Sequence, residues 1–340
     1  VILLSAGQPA RRPRLDDVAA EVGVSPATVS LVLRGISGPS AATRERVLAA
    51  AARIGYRPDR AASVLASRRS RSIGVVMDIS NSFHAQLVED VHEAAERRGY
   101  DLVLSTVTRS RDETRAVETL LDSRCAALLL LGPEAPAEKL ADLGRQLPVV
   151  VIGRPVAPIG FDVVRAADDE GVAQAVDHLA GLGHRDISYV DGGESEMAAL
   201  RRRGYQHAMR RHGLADHAHL IAGGNTETDG AGAAQTVLAT EPRPTAVLTY
   251  NDRCAMGLVD ALVRAGVGIP EDISVVGYDD SPVARLAHID LTTVSQNTSE
   301  LTEHAVAAVV ERLENGRADH REVVVAPHLV IRGTTAPPRT

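Results

Sequence analysis

Between residues 73 and 333 the chain alternates short apolar runs with amphipathic stretches, and it does so in two successive series. The first series holds the strand "SIGVVMDI", a helix from about His84 to Arg98, the strand "DLVLSTV", a helix near Glu113–Leu121, the strand "AALLLL", a further helix and the strand "PVVVIG". The second holds the helix "EGVAQAVDHLAGLG", the strand "DISYV", the helix "EMAALRRRGYQHAMRRHG", the strand "TAVLTY", the helix "RCAMGLVDALVRAG" and the strand "ISVVGY". Strands that alternate with helices of about ten to fifteen residues build βαβ units and parallel sheets. Two such series predict two doubly wound subdomains, with a ligand cleft at the C-terminal ends of the strands. A chain of 340 residues exceeds one ordinary core, and with aromatics at 2% these cores must be built from Ala, Val, Leu and Ile.

The charge is divided unevenly. Residues 1–72 hold twelve arginines against five acids, a net +7, and since the whole chain carries −7, residues 73–340 carry −14. A basic head on an acidic body is the footprint of a nucleic-acid-binding module joined to something else; the plain alternative is a solvated basic surface. The head reads as three short helices. Val18, Ala19 and Val22 mark the first, which Gly23 ends. Ser25 caps the second, with Pro26 at its first position and an apolar stripe at Val29, Val32 and Leu33. Pro26, Ala27, Leu31 and Arg34 fall mostly off that stripe. Two short helices joined by a glycine turn form a helix-turn-helix, whose second helix lies in the major groove of DNA. Ser40 caps the third helix, with Val47, Leu48, Ala51 and Ile54 expected inside and Gly55 as its stop. "RPDRAASVLASRRSRS" then reads as a basic linker, and residues 1–13 as a disordered tail.

Polar groups gather at the strand ends of the body: "DISNSFH" after the first strand, Asn251-Asp252 after "TAVLTY", and Asp279-Asp280 after "ISVVGY". Such groups suit hydroxyl-rich ligands such as sugars or nucleosides, because carboxylates accept paired hydrogen bonds. The alternative is turn chemistry, since Asn and Asp also favour loops.

Taken together, "LDDVAAEVGVSPATVSLVLRG", "TRERVLAAAARIGYRPDRAASVLASRRSRSIGVV" and "DISVVGYDD" resemble the lactose-repressor (LacI/GalR) family of bacterial transcription regulators, from about Arg14 to about Gly333. The resemblance implies an all-α helix-turn-helix headpiece at 14–58, a hinge helix and linker at 59–72, and a periplasmic-binding-protein-like α/β body at 73–333. The body would cross between its subdomains near 161, 292 and 325, with the helix from about Thr298 to Asn315 returning to the first subdomain and a C-terminal tail at 334–340. It implies a homodimer, or a tetramer, on double-stranded palindromic operator DNA, controlled by a small effector. The expected DNA contacts are Ser25, Pro26, Ala27, Thr28, Ser30, Leu31, Arg34 and Arg44, with Arg60, Ala62 and Leu65 in the hinge, where Leu65 matches a leucine that wedges between bases. The expected effector contacts are the Asp279 carboxylate, Arg201, Asn251 and the Phe83 wall, with Asp78, Arg154 and Asn225 completing the set. Three departures stand out. Ser82 and His84 replace a proline and a second aromatic, and Gly153-Arg154 stands where a carboxylate is common, which points to a ligand with an anionic group facing Arg154. In the second helix, Leu31 and Arg34 replace an arginine and an asparagine, so Leu31 would meet a thymine methyl group.

Other chemistry finds no support. His207, His212, His217 and His219 have no fixed common face and read as surface residues. "DGGES" and "IAGGN" match neither the dinucleotide fingerprint nor the Walker spacing, and there is no G-x-S-x-G elbow. No enzyme activity, cofactor or metal is expected. No apolar run is long enough to span a bilayer, "VILLSAGQPARRPR" has the reverse order of a secretory signal, and two distant cysteines, Cys125 and Cys254, suit a reducing cytoplasm. A solute-binding protein of sugar uptake would explain the body only, and a sugar enzyme needs a nucleophile or acid–base pair that the sequence does not place. The reading is a ligand-controlled repressor of carbohydrate-use genes.

Overall fold

The computed structural model describes residues 13–33, 35–56 and 70–339. The chain forms two compact units, residues 1–70 and 71–340, and each is described by itself. The first contains α1 (Leu15–Val22), α2 (Pro26–Leu33) and α3 (Ala41–Ile54). Their core is Val18, Ala19, Val22, Val29, Val32, Val47, Ala50 and Ala51. Leu48, expected inside, is 48% exposed. The inward face of α3 follows the spacing 47, 50, 51, 54, and Leu48 stands one residue off it. Ser25 Oγ accepts from the backbone N–H of Thr28 at 3.1 Å and Ser40 Oγ from that of Thr43 at 3.2 Å, so both caps form. Gly23 and Gly55 end their helices at φ 72° and 69°. Arginines serve the other ends. Arg46 donates to the carbonyl of Val22 at 2.6 Å, and Arg44 to those of Val32 and Ile36 at 3.3 and 2.9 Å, which gives the last carbonyls of α1 and α2 charged partners.

The second unit opens with β1 (Ser72–Asp78), α4 (Ser82–Glu96), β2 (Asp101–Val107), α5 (Glu113–Asp122), β3 (Ala127–Leu131), α6 (Ala137–Gly144), β4 (Val149–Ile152) and β5 (Asp162–Ala166). It continues with α7 (Asp168–Gly181), β6 (Ile187–Val190), α8 (Glu196–Arg211), β7 (Ala218–Ile221), α9 (Glu227–Ala239), β8 (Ala246–Thr249), α10 (Asp252–Arg264), β9 (Ser274–Tyr278) and β10 (Thr292–Ser295). It closes with α11 (Thr298–Asn315), β11 (Glu322–Val325) and β12 (His328–Val330). Two six-stranded sheets result, in the orders β11-β5-β4-β3-β1-β2 and β12-β10-β9-β8-β6-β7. All pairs are parallel except β10 with β12. Each sheet is buried on both faces, and the strands β3, β4, β6, β8 and β9 are buried throughout.

The crossings between the subdomains fall at 167, 296–297 and 326–327. The first lies later than the expected 161 because "DVVRA" forms β5 of the first sheet, and the second later than 292 because "TTVS" forms β10 of the second. The connectors are bonded together around the end of β11: the Ala167 N–H donates to the Val325 carbonyl at 2.9 Å, and Asn297 Nδ2 to the Ala326 carbonyl. Residues 334–336, expected as part of a tail, are tied into the second subdomain. Val275 and Thr334 exchange hydrogen bonds at 2.8 and 2.7 Å, and the Ala336 carbonyl accepts from His184 Nε2 at 2.8 Å. These bonds satisfy polar groups that burial would otherwise leave unpaired.

One close contact positions the site. A Cβ on Gly230 of α9 would lie 1.9 Å from the Cys254 carbonyl oxygen, and one on Gly257 of α10 would lie 1.8 Å from that of Glu227. The two helices pack backbone to backbone through these glycines, which sets the N-terminus of α10 at the cleft.

Candidate functional site

In the head unit, Ser25, Pro26 and Ala27 at the start of α2 are exposed, and Thr28, Ser30 and Leu31 are half-buried, on the side away from the buried Val29 and Val32. Arg44, expected on DNA, donates from its guanidinium to the carbonyls of Val32 at the end of α2 and of Ile36 beyond it. Arg34, Arg60, Ala62 and Leu65 lie outside the described residues, as do most of the expected hinge and tail.

In the body, a cleft of about 890 Å³ opens between the C-terminal edges of the two sheets, and it brings together all seven expected effector residues: Asp78, Phe83, Arg154, Arg201, Asn225, Asn251 and Asp279. Their surroundings differ. Arg201, 3% exposed, donates from Nε to Asp168 Oδ1 at 2.7 Å and from Nη1 to the Tyr250 carbonyl at 2.6 Å. Its guanidinium carbon lies 3.6 Å from the centre of the Tyr278 ring and 4.7 Å from that of Tyr250. Burial works against its charge, but Asp168, itself fully buried, outweighs burial and holds the arginine ionised.

Asp279 is 8% exposed, and its Oδ1 accepts from Gln296 Nε2 at 2.7 Å and stands 3.9 Å from Arg201 Nη2. Burial pushes its carboxyl up to about 8, against the pull of Arg201. Its φ of 114° is rare outside glycine, a strained backbone of the kind that clusters at functional sites. Asp280, the second acid of "GYDD", faces elsewhere: it pairs with Arg285 at 2.9 Å and Arg332 at 2.6 Å. Asp252 is also turned inward, where it accepts from Thr293 and from both N–H and hydroxyl of Ser281; burial pushes it up to about 6.

Asn251 caps α10, its Oδ1 accepting from the Cys254 N–H at 2.9 Å while its Nδ2 donates to the Asn225 carbonyl at 3.1 Å. The first bond is a local helix cap, and the second reaches a loop 26 residues away. Asp78 Oδ1 accepts from the N–H and hydroxyl of Ser80, each at 2.8 Å. Phe83 is half-buried against the first subdomain's core. His84 beside it is pushed down to about 4 by burial, and its Nδ1 accepts the Asp78 N–H. Arg154, which lines the cleft, donates from Nε to Glu196 of the opposite subdomain at 2.8 Å and from Nη1 to the carbonyls of Pro133 and Ala135, so its guanidinium is engaged with protein.

Several residues of the site carried no signal in the sequence: Asp168, Tyr250, Tyr278 and Gln296 around the buried charges, and Arg253. Arg253 forks onto Glu227 at 2.9 and 2.7 Å and donates to the Ser80 carbonyl of the first subdomain at 2.7 Å. Asp168 follows β5, a strand that the apolar alternation does not mark, and Gln296 sits on a crossing; only the tertiary fold joins them to Arg201 and Asp279. Among the described residues no helix is long and apolar enough to cross a membrane. There, His212 and His217 pair with Asp177 and Asp186 at 2.6 and 2.7 Å, and no cluster of three ligating side chains could hold a metal ion.

Residues 14–59 match the model for bacterial regulatory proteins of the lacI family, and residues 176–335 that for a periplasmic binding protein-like domain. The chain is similar to the HTH-type transcriptional regulator GalS of Salmonella typhimurium, at 36% identity over 283 residues, 82% of this chain and 83% of the relative. It is similar to the crystal structure of a LacI transcriptional regulator from a Rhodococcus species, at 44% identity and a TM-score of 0.76, over 78% of this chain and 98% of that one. The lac repressor dimer bound to operator and the anti-inducer ONPF matches at 29% identity and a TM-score of 0.81, over 96% of this chain and the whole of that one.

Proposed function

Since this chain belongs to the LacI family of bacterial regulatory proteins, which are ligand-responsive DNA-binding transcription regulators and not enzymes, we propose that it is a cytoplasmic repressor of carbohydrate-use genes. It acts as a dimer on a palindromic operator, with a sugar or related polyol in the cleft of its body. The observation that carries the effector reading is the Asp279 carboxyl: nine-tenths buried, held on one oxygen by Gln296, and facing the cleft. Ligand hydroxyls hydrogen-bonded to it would replace the solvation that burial removes, and Arg201, fixed by Asp168, sets the position of both. On DNA, the exposed start of α2 reads base edges in the major groove, and the hinge with Arg60, Ala62 and Leu65 grips the minor groove. The ligand controls DNA binding to the extent that it binds one arrangement of the two subdomains better than another.

A thermal-shift screen against sugars and polyols, followed by operator-binding titrations with and without each hit, tests this. At least one sugar should raise the melting temperature of the parent and change operator affinity, and Asp279→Ala should abolish both effects. A sugar response that survives Asp279→Ala overturns the site; no response from any sugar overturns the effector class.

A further inference from the structure

The cleft treats its positive and negative groups differently. Its interior cations are held by the protein itself: Arg154 by Glu196 and two carbonyls, Arg201 by Asp168 and the Tyr250 carbonyl, and Arg253 by Glu227 and the Ser80 carbonyl. His84 accepts a backbone N–H and is neutral. Helix N-termini are natural anion sites. Four whose cap residues line the cleft are already capped from within, by Asn81, Asp112, Ser195 and Asn251 onto the N–H groups of Phe83, Arg115, Ala198 and Cys254. The start of α6, at the rim between Ala135 and Lys139, has no side-chain cap. By contrast, the carboxylates Asp78, Glu113 and Glu134 line the first subdomain's wall with no cation at salt-bridge distance among the described residues. Lys139, on the exposed rim, is the lining cation left without an ion pair among those residues.

We propose that the cleft selects an uncharged or ammonium-bearing polyol and rejects its phosphate ester or carboxylate form, an inference that rests on the sugar reading above. An anion in the interior of this cleft would have to draw Arg154, Arg201 or Arg253 away from a carboxylate and leave that carboxylate unpaired, or displace a helix cap; only at the exposed rim, beside Lys139, would it meet a cation without such a loss. An ammonium group meets instead carboxylates that have no ion pair among the described residues, although Asp78 accepts from Ser80 and Glu113 from the Glu134 N–H, and it gains charge-assisted hydrogen bonds. The ligand is therefore a sugar in the form that precedes a phosphoryl-transfer step, or an amino sugar.

Calorimetry on the full chain with matched triples tests the inference: glucose, glucosamine and glucose 6-phosphate; galactose, galactosamine and galactose 6-phosphate; and the pair ribose and ribose 5-phosphate. For any sugar that binds, the phosphate ester should bind at least about tenfold more weakly and the amine as tightly or more tightly. In Asp78→Asn/Glu113→Gln, whose wall has lost two negative charges, the gap between the parent sugar and its phosphate ester should narrow. A phosphate ester that binds as well as or better than its parent sugar overturns the charge selection and leaves the sugar reading intact. An unchanged gap in the double variant overturns the role of the wall. Failure of every compound at millimolar concentration overturns the sugar reading, and the inference with it.

Discussion

Asp279→Asn should make the protein more stable at pH 8 while it removes the effector response. Burial pushes the Asp279 carboxyl up to about 8 in the folded protein, whereas an aspartate in the unfolded chain titrates near about 3.9. Between those values the folded state holds a proton that the unfolded state has released. Stability is therefore full below about pH 4 and declines as the pH rises toward 8, with a slope of about 1.4 kcal/mol per pH unit. From pH 5 to pH 8 the loss is about 4 kcal/mol. Asparagine has no such proton to lose. It keeps a carbonyl oxygen for Gln296 to donate to, and among non-glycine residues it is one of those that best tolerate a positive φ, such as the 114° found here. Melting curves of parent and variant, recorded by calorimetry without ligand from pH 5 to 8.5, should lie together at the acid end. By pH 8 the variant should melt roughly 10 °C higher, at about 2–4 °C per kcal/mol for a unit of this size. Parallel pH profiles, or a variant less stable than the parent at pH 8, would refute the reasoning.

Arg201→Met should lower the melting temperature at neutral pH, because it leaves the buried Asp168 carboxylate unpaired at a cost of about 3–5 kcal/mol; an unchanged melting curve would deny the pair its structural role. Arg44→Ala should destabilise the head by about 1–2 kcal/mol, seen as a lower melting temperature, while the log–log salt slope of DNA binding stays at the parent value. A slope shallower by about 0.9 would instead place Arg44 on a phosphate. Leu65→Ala should weaken operator binding far more than nonspecific binding at one fixed salt concentration, because a wedge acts only where a base step is opened. An unchanged ratio together with a lower melting temperature of the free protein would assign Leu65 to packing instead.

The parts of the molecule that were legible in the sequence are those where periodicity and punctuation agree. α1 and α3 end at Gly23 and Gly55 as read, Ser25 and Ser40 cap as read, and β1 and β2 fall on their apolar runs. β7 and α9 were passed over for opposite reasons. "AHLI" is a four-residue strand with two exposed positions, and "ETDGAGAAQTVLA" has little apolar contrast because its packing depends on glycine and alanine rather than on large side chains. β5 and β10 are short strands next to crossings, and no local signal says to which sheet a strand of four or five residues belongs. At the site, residue type identified the groups that gather in the cleft, but not how each is engaged. Asp279 and Asp280 are adjacent identical acids, one facing the cleft and one held by two arginines, and only long-range partners distinguish them. Arg154 looked available for the same reason: Glu196 is 42 residues away in sequence.

The three connectors act mechanically as one pivot. Each is only one or two residues long between anchored elements, and they are bonded together around the end of β11, so one subdomain has little freedom to slide over the other and can mainly turn. All three lie at the cleft edge of the sheets, at the C-terminal ends of β5, β10 and β11. β1 runs from that edge to Ser72 on the far side as a seven-residue rod fully paired with β2. At about 3.3 Å per residue its far end lies roughly 23 Å from that edge, so a turn about an axis along the edge carries it by about 0.4 Å per degree. A small adjustment around a ligand thus emerges, magnified, where the chain enters β1.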